Sequence, residues 1–159
     1  MTPTLLGRIE SRLLLLATVG AAWTAIISPF LPAPAGMGVG DVYRLTYTAL
    51  GIVFVLGIGW ELVYHLLQQL RWNRDWPTLI GLLNGINEGA TTWWALHLTN
   101  RLPGHPAVGY VPGTYGPANA IFPLFVIDFA TTWILIWLAV QGPVKVFLVH
   151  WRFRGGQVL

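Results

Sequence analysis

Along the chain, long apolar runs alternate with short breaks rich in polar residues, Gly or Pro. Leu13 to Phe30 is the first apolar run, and it is followed by the loop Leu31 to Val42, LPAPAGMGVGDV. A second run extends from about Tyr43 to Leu70, a third from Pro77 to Thr99 and a fourth over residues 120–141. About 20 apolar residues suffice for a helix to cross the hydrocarbon core of a bilayer. Pro77 suits the first position of a helix, where its missing N–H costs nothing. Gly142-Pro143 ends the fourth run, and residues 144–159 read as an amphipathic basic tail. The pattern predicts an all-α integral membrane protein, a four-transmembrane-helix bundle in one domain, with spans at 13–30, 43–70, 77–99 and 120–141.

The third run is the most informative. In LIGLLNGINEGATTWWALHL, Gly81, Asn84, Glu88, Thr91 and Ala95 share a narrow face at helical spacing, and Leu82, Ile86 and Trp93 take the other. Such a helix turns apolar bulk to lipid and a small, polar seam to protein. In the first run Ala17, Ala21, Thr24 and Ser28 form a small-residue stripe of the kind that lets membrane helices approach closely. The segment Arg101 to Asn119, with four prolines, is a long loop that either covers a site or caps the bundle.

Composition sharpens this picture. Charged residues make up 9% of the 159-residue chain, against roughly 25% in an average soluble domain. The nine Trp suit a membrane boundary. With no Cys, thiol chemistry and disulfides are excluded. No clustered basic face suggests nucleic acid. The basic residues instead sort by side. Arg8, Arg12, Arg71, Arg74, Lys145, Arg152 and Arg154 fall on one side of a four-span arrangement, and Arg44 and Arg101 on the other. The positive-inside rule then places both termini in the cytoplasm of a multi-pass plasma-membrane protein. A competing reading takes the first run, ending at Ala33-Pro34-Ala35, as a cleaved signal peptide.

The candidate chemistry lies in acids. Glu61, Glu88 and Asp128 sit inside predicted spans, at a cost of about 2.5–3.5 kcal/mol each by insertion scales. No Lys or Arg is expected at their depth. Each lies on the polar face of its own span, so the three are expected to converge in the bundle core. His65, Asn84, Asn87 and Thr131 supply further candidate ligands or hydrogen-bond partners. Glu61 and His65, one turn apart, also suit two ligands on one face. Metal and cofactor identities are not specified by the sequence.

Gly59-Trp60-Glu61-Leu62-Val63-Tyr64 resembles a short stretch of the membrane-integral terpene cyclases. The resemblance covers these six residues, and that family has more spans than the four read here. It implies a membrane-embedded acid/base enzyme acting on a lipid or isoprenoid, with Glu61 as proton donor. Read from the residues, the first expectation is a buried carboxylate and histidine site that binds or moves a proton, a cation or a small cationic ligand. A homo-oligomer would help so small a bundle enclose a pathway. The alternative is an accessory subunit of a larger membrane complex, its acids pairing with bases on a partner helix.

Overall fold

The computed structural model describes residues 4–70, 78–99 and 120–147, and among these the fold is all-helical. Helix formation starts before the apolar run does. The Thr4 hydroxyl accepts from the backbone N–H of Gly7 at 3.2 Å and caps helix α1, which runs from Leu5 to Phe30. Arg8, Glu10 and Arg12, which precede the predicted first span, are therefore helical. A tight final turn containing Pro29 ends α1, and Gly36 adopts φ 85° in the loop that follows, a conformation that favours glycine. Helices α2 (Val39–Leu70), α3 (Thr78–Thr99), α4 (Phe122–Gln141) and the short α5 (Pro143–Phe147) complete the described chain. The expected turn at 71–76, the loop 101–119 and the tail beyond Phe147 lie outside the described residues.

Three of these helices, α1, α2 and α4, are long and apolar enough to cross a membrane. With 32 residues, α2 reaches about 48 Å, well beyond a hydrocarbon core of about 30 Å. Each long helix packs on the next, and α4 closes against α1. The polarity is inverted relative to a soluble bundle. Thr24, Ser28, Thr46, Glu88, Thr92 and Asp128 are buried, while Ile26, Val55, Leu66, Ile86 and Leu138 are exposed. Outward-facing aliphatic bulk around a polar interior is the arrangement that lipid stabilises.

Two packing devices set the interior. The first is a π-helical turn in α1, Leu16–Gly20. Buried positions along α1 run Gly7, Ser11, Leu15, Leu16, Gly20, Thr24 and Ser28. Arg12 and Thr24 are twelve residues apart, and in an unbroken α-helix they would differ by about 120° in direction. The extra residue of the wider turn cuts that to about 20°, so both face inward. The same turn corrects the predicted small-residue stripe. Ala17 is exposed and Ala21 half-buried, and Leu16 and Gly20 take the inner positions instead.

The second device joins α3 to α4. Gly81, Gly85 and Gly89 repeat every fourth residue of α3 and face Trp137, Trp133 and Phe129 of α4. A Cβ at Gly85 would collide with the Trp133 indole, and one at Gly89 would stand 2.9 Å from a ring carbon of Phe129. Trp133 also donates its indole N–H to the carbonyl of Leu82 at 3.2 Å. Small residues thus let a wall of stacked aromatics, Phe125, Phe129 and Trp133, lie close against the α3 backbone.

Candidate functional site

Arg12 forms the centre of a buried ionic layer. From α1 its guanidinium reaches Glu61 on α2, Nη1 to Oε1 at 3.1 Å, and Glu88 on α3, Nη1 to Oε1 at 3.0 Å. Nη2 also bonds Glu88 Oε2. One helical turn earlier Arg8 donates from Nε to Glu61 Oε2 at 2.8 Å and from Nη1 to Gln68 Oε1 at 2.9 Å. Gly57 provides the floor of this layer, since a Cβ there would stand 2.8 Å from the Arg12 Cζ. Trp133 flanks it, with its ring centroid 5.4 Å from the same carbon. Tyr64 donates to the Asn84 carbonyl at 3.4 Å alongside. Two guanidiniums face two carboxylates, so the layer balances its own charge.

This arrangement corrects the expectation that no base lies at the depth of the acids. The reason is physical. Because α1 begins at Leu5, Arg8 and Arg12 occupy its first turns, and their long apolar stems let the charged heads reach inward. Glu61 and Glu88 come together as predicted from their polar faces, although the partner that joins them, Arg12, lies just before the predicted first span.

Asp128 occupies a neighbouring compartment. It is 4% exposed, and its Oδ1 has no hydrogen-bond partner. Beside it is a cavity of about 20 Å³, lined also by Thr24, Thr132, Leu16 and Trp133. A space of about 10–15 Å³ measured this way holds one water molecule. The hydroxyls of Thr24 and Thr132, both buried, likewise lack partners. Three unsatisfied polar groups therefore line a cavity with room for water. No other ionisable side chain lines it. Trp133 is common to both compartments and stands against Arg12 on the ionic side.

The remaining candidates divide. Asn84 is buried beside Tyr64. Asn87 is exposed on α3, one position off the buried face of Asn84 and Glu88. His65 meets Gln69 across 3.0 Å on its own helix, and both oxygens of Glu61 face arginines, so the Glu61–His65 ligand pair is not formed. Thr131 accepts from the indole of Trp23 at 3.0 Å and donates to the carbonyl of Ile127, whereas the adjacent Thr132 reaches the cavity. Among the described residues no three His, Asp or Glu side chains gather as a metal cluster would require. Arg8, Arg12 and Trp133 escaped the sequence reading as site residues, whereas Thr24, Gly57 and Thr132 fall on faces that the periodicity already marks. The available signals were the four-residue spacing of Arg8 to Arg12 and the Gly-x-x-x-Gly repeat of α3.

No family model, curated protein or solved structure matches the chain.

Proposed function

We propose that this is a four-span protein of the cell membrane, with both termini cytoplasmic, that binds or moves a proton or small cation at Asp128. The observation carrying this reading is a buried carboxyl with an unsatisfied oxygen beside a cavity with room for water and two unsatisfied hydroxyls. A membrane interior leaves such groups unpaired at high cost unless a guest satisfies them. A single carboxyl with two hydroxyls offers few oxygen ligands, which favours a proton or a small monovalent cation. Divalent ions want more carboxylate oxygens than one Asp supplies. With Arg8 and Arg12 drawn into the bundle, Arg71, Arg74, Lys145, Arg152 and Arg154 remain on one side against Arg44 and Arg101 on the other, which still supports the orientation. In this arrangement α3, about 33 Å long, is the fourth crossing, its polar face turned toward α1, α2 and α4.

The competing readings lose much of their motive. An accessory subunit that brings bases to the acids is less needed for Glu61 and Glu88, which Arg8 and Arg12 pair within the chain, and would have only Asp128 left to meet. An isoprenoid-protonating enzyme needs Glu61 as proton donor, and two guanidiniums bind its oxygens. The test is a pH or sodium gradient imposed across vesicles containing the purified protein. Wild type is expected to dissipate one of these gradients, and Asp128→Asn to leave it at the rate of protein-free vesicles. Equal dissipation by the two proteins refutes the assignment.

A further inference from the structure

Thr24 and Thr132 behave unlike most threonines of these helices. Thr18, Thr46, Thr48, Thr91 and Thr131 each donate to the carbonyl four residues back, the usual partner of a hydroxyl inside a helix. Thr24 and Thr132 make no such bond, although they are 0% and 7% exposed. Both line the Asp128 cavity, and neither bonds Asp128 Oδ1, which lacks a partner too. Thr92, also buried and without a partner, does not line it. Three oxygens thus border one space without satisfying each other, a costly arrangement until a guest joins them. The charge at this space is simple. From α1 come Leu16 and Thr24, from α2 only apolar side chains, and from α4 Thr132 with Phe129, Trp133 and Ile136, while α3 lines none of it. None of these titrates. Behind Trp133, Arg12 is matched by Glu61 and Glu88. Among the described residues, Asp128 is therefore the single ionisable group of the cavity, and one positive charge neutralises it.

We propose that a proton and a small alkali cation of the sodium class compete for Asp128, with Thr24 and Thr132 as ligands of the cation and not of the proton. The proposal rests on the reading of Asp128 as the ion-binding group. It adds that the two guests exclude each other, and which side chains tell them apart. Exclusion follows from charge, because both guests together would leave an uncompensated positive charge in a low-dielectric interior. The division of ligands follows from bonding. A proton forms an O–H bond with one carboxyl oxygen and neutralises the group without further ligands. An alkali cation forms no such bond and is held by several oxygens at once, as hard cations are. The Asp128 carboxylate, the two free hydroxyls and water in the cavity supply them. Because the hydroxyls are neutral, they add ligands without adding charge, and the site keeps its match to a monovalent ion.

The experiment is equilibrium binding of radiolabelled sodium to the purified protein in detergent micelles, over a series of pH values in choline buffer. Its companion readout is the infrared carbonyl band of protonated Asp128, recorded without sodium and then with it. Wild type is expected to bind sodium with an affinity that falls about tenfold for each unit of pH through the range where Asp128 holds its proton. Added sodium is expected to erase the band at constant pH. Thr24→Val and Thr132→Val are expected to weaken sodium binding by about tenfold or more, the loss of one contact to a charged group. They are expected to keep the band, which also reports an intact Asp128 pocket. Thr24→Ser and Thr132→Ser retain the oxygen and are expected to bind sodium as wild type does. Sodium affinity that ignores pH, or that is unchanged in the valine variants, overturns the proposal. So does a wild type that shows the Asp128 band and binds no sodium, which leaves Asp128 standing as a proton site. Loss of the band together with sodium binding in the valine variants overturns the division of ligands. Sodium binding and a band that both survive in Asp128→Asn overturn the reading of Asp128 itself.

Discussion

Replacing Arg12 by glutamine removes the one side chain that touches both buried glutamates. Their losses are unequal. Glu61 keeps Arg8 at 2.8 Å, whereas Glu88, 2% exposed, loses its only guanidinium among the described residues. Stranding one partner of a buried ion pair costs about 3–5 kcal/mol. Glu88→Gln leaves Arg12 on Glu61, so only hydrogen bonds to a charged group are weakened, at about 1.5–3 kcal/mol. The double variant carries no stranded charge and is expected to be more stable than Arg12→Gln alone. The coupling is then expected near the upper end of the roughly 0.5–3 kcal/mol seen for contacting residues. Hydrogen bonds between membrane helices couple by about 0.6 kcal/mol on average and about 1.7 at most, so a larger value identifies an ion pair. The assay is reversible unfolding in mixed micelles followed by far-UV circular dichroism. Additive effects, or an Arg12→Gln variant within about 0.5 kcal/mol of wild type, refute the ionic layer.

Other substitutions test the packing around it. Gly57→Ala places a methyl against the Arg12 guanidinium, and is expected to cost about 1–3 kcal/mol as overpacking does. That loss should shrink in an Arg12→Gln background, measured by the same unfolding assay. Trp133→Ala is expected to cost about 3–5 kcal/mol and to raise solvent access to both compartments, read by hydrogen exchange of α3. Asn87→Ala, on an exposed position, should stay within about 0.5 kcal/mol of wild type. Deleting Ala17 turns the π turn into ordinary helix while keeping Arg12 and Thr24 within about 20° of each other. That deletion is expected to fold, whereas inserting one alanine there rotates Arg12 about 100° away from its partners and should not. Thermal melting in detergent distinguishes the two.

Much of the helical layout was legible because apolar runs of spanning length and their Gly/Pro breaks are strong signals. Periodicity also found the buried faces of Glu61, Glu88 and Asp128. The ionic layer was hidden for a specific reason. Hydropathy draws a span where side chains are apolar, and Arg8 and Arg12 fall outside such a window although the helix itself begins at Leu5. Long charged side chains reach sites that their backbone positions do not suggest. The π turn was illegible for another reason, since a constant angle per residue assigns Ala17 and Ala21 to the inner face where Leu16 and Gly20 stand. The same one-residue ambiguity leaves Thr131 and Thr132 both eligible for the face of Asp128, of which Thr132 is buried, and sets exposed Asn87 beside buried Glu88 as a second candidate.

The most direct test of the account is infrared difference spectroscopy of the protein in lipid across a pH step, looking for the carbonyl stretch of a carboxylic acid. The account predicts such a band in wild type that disappears in Asp128→Asn and persists in Glu88→Gln. A band that survives Asp128→Asn and vanishes in Glu88→Gln would put the proton in the arginine layer and contradict it.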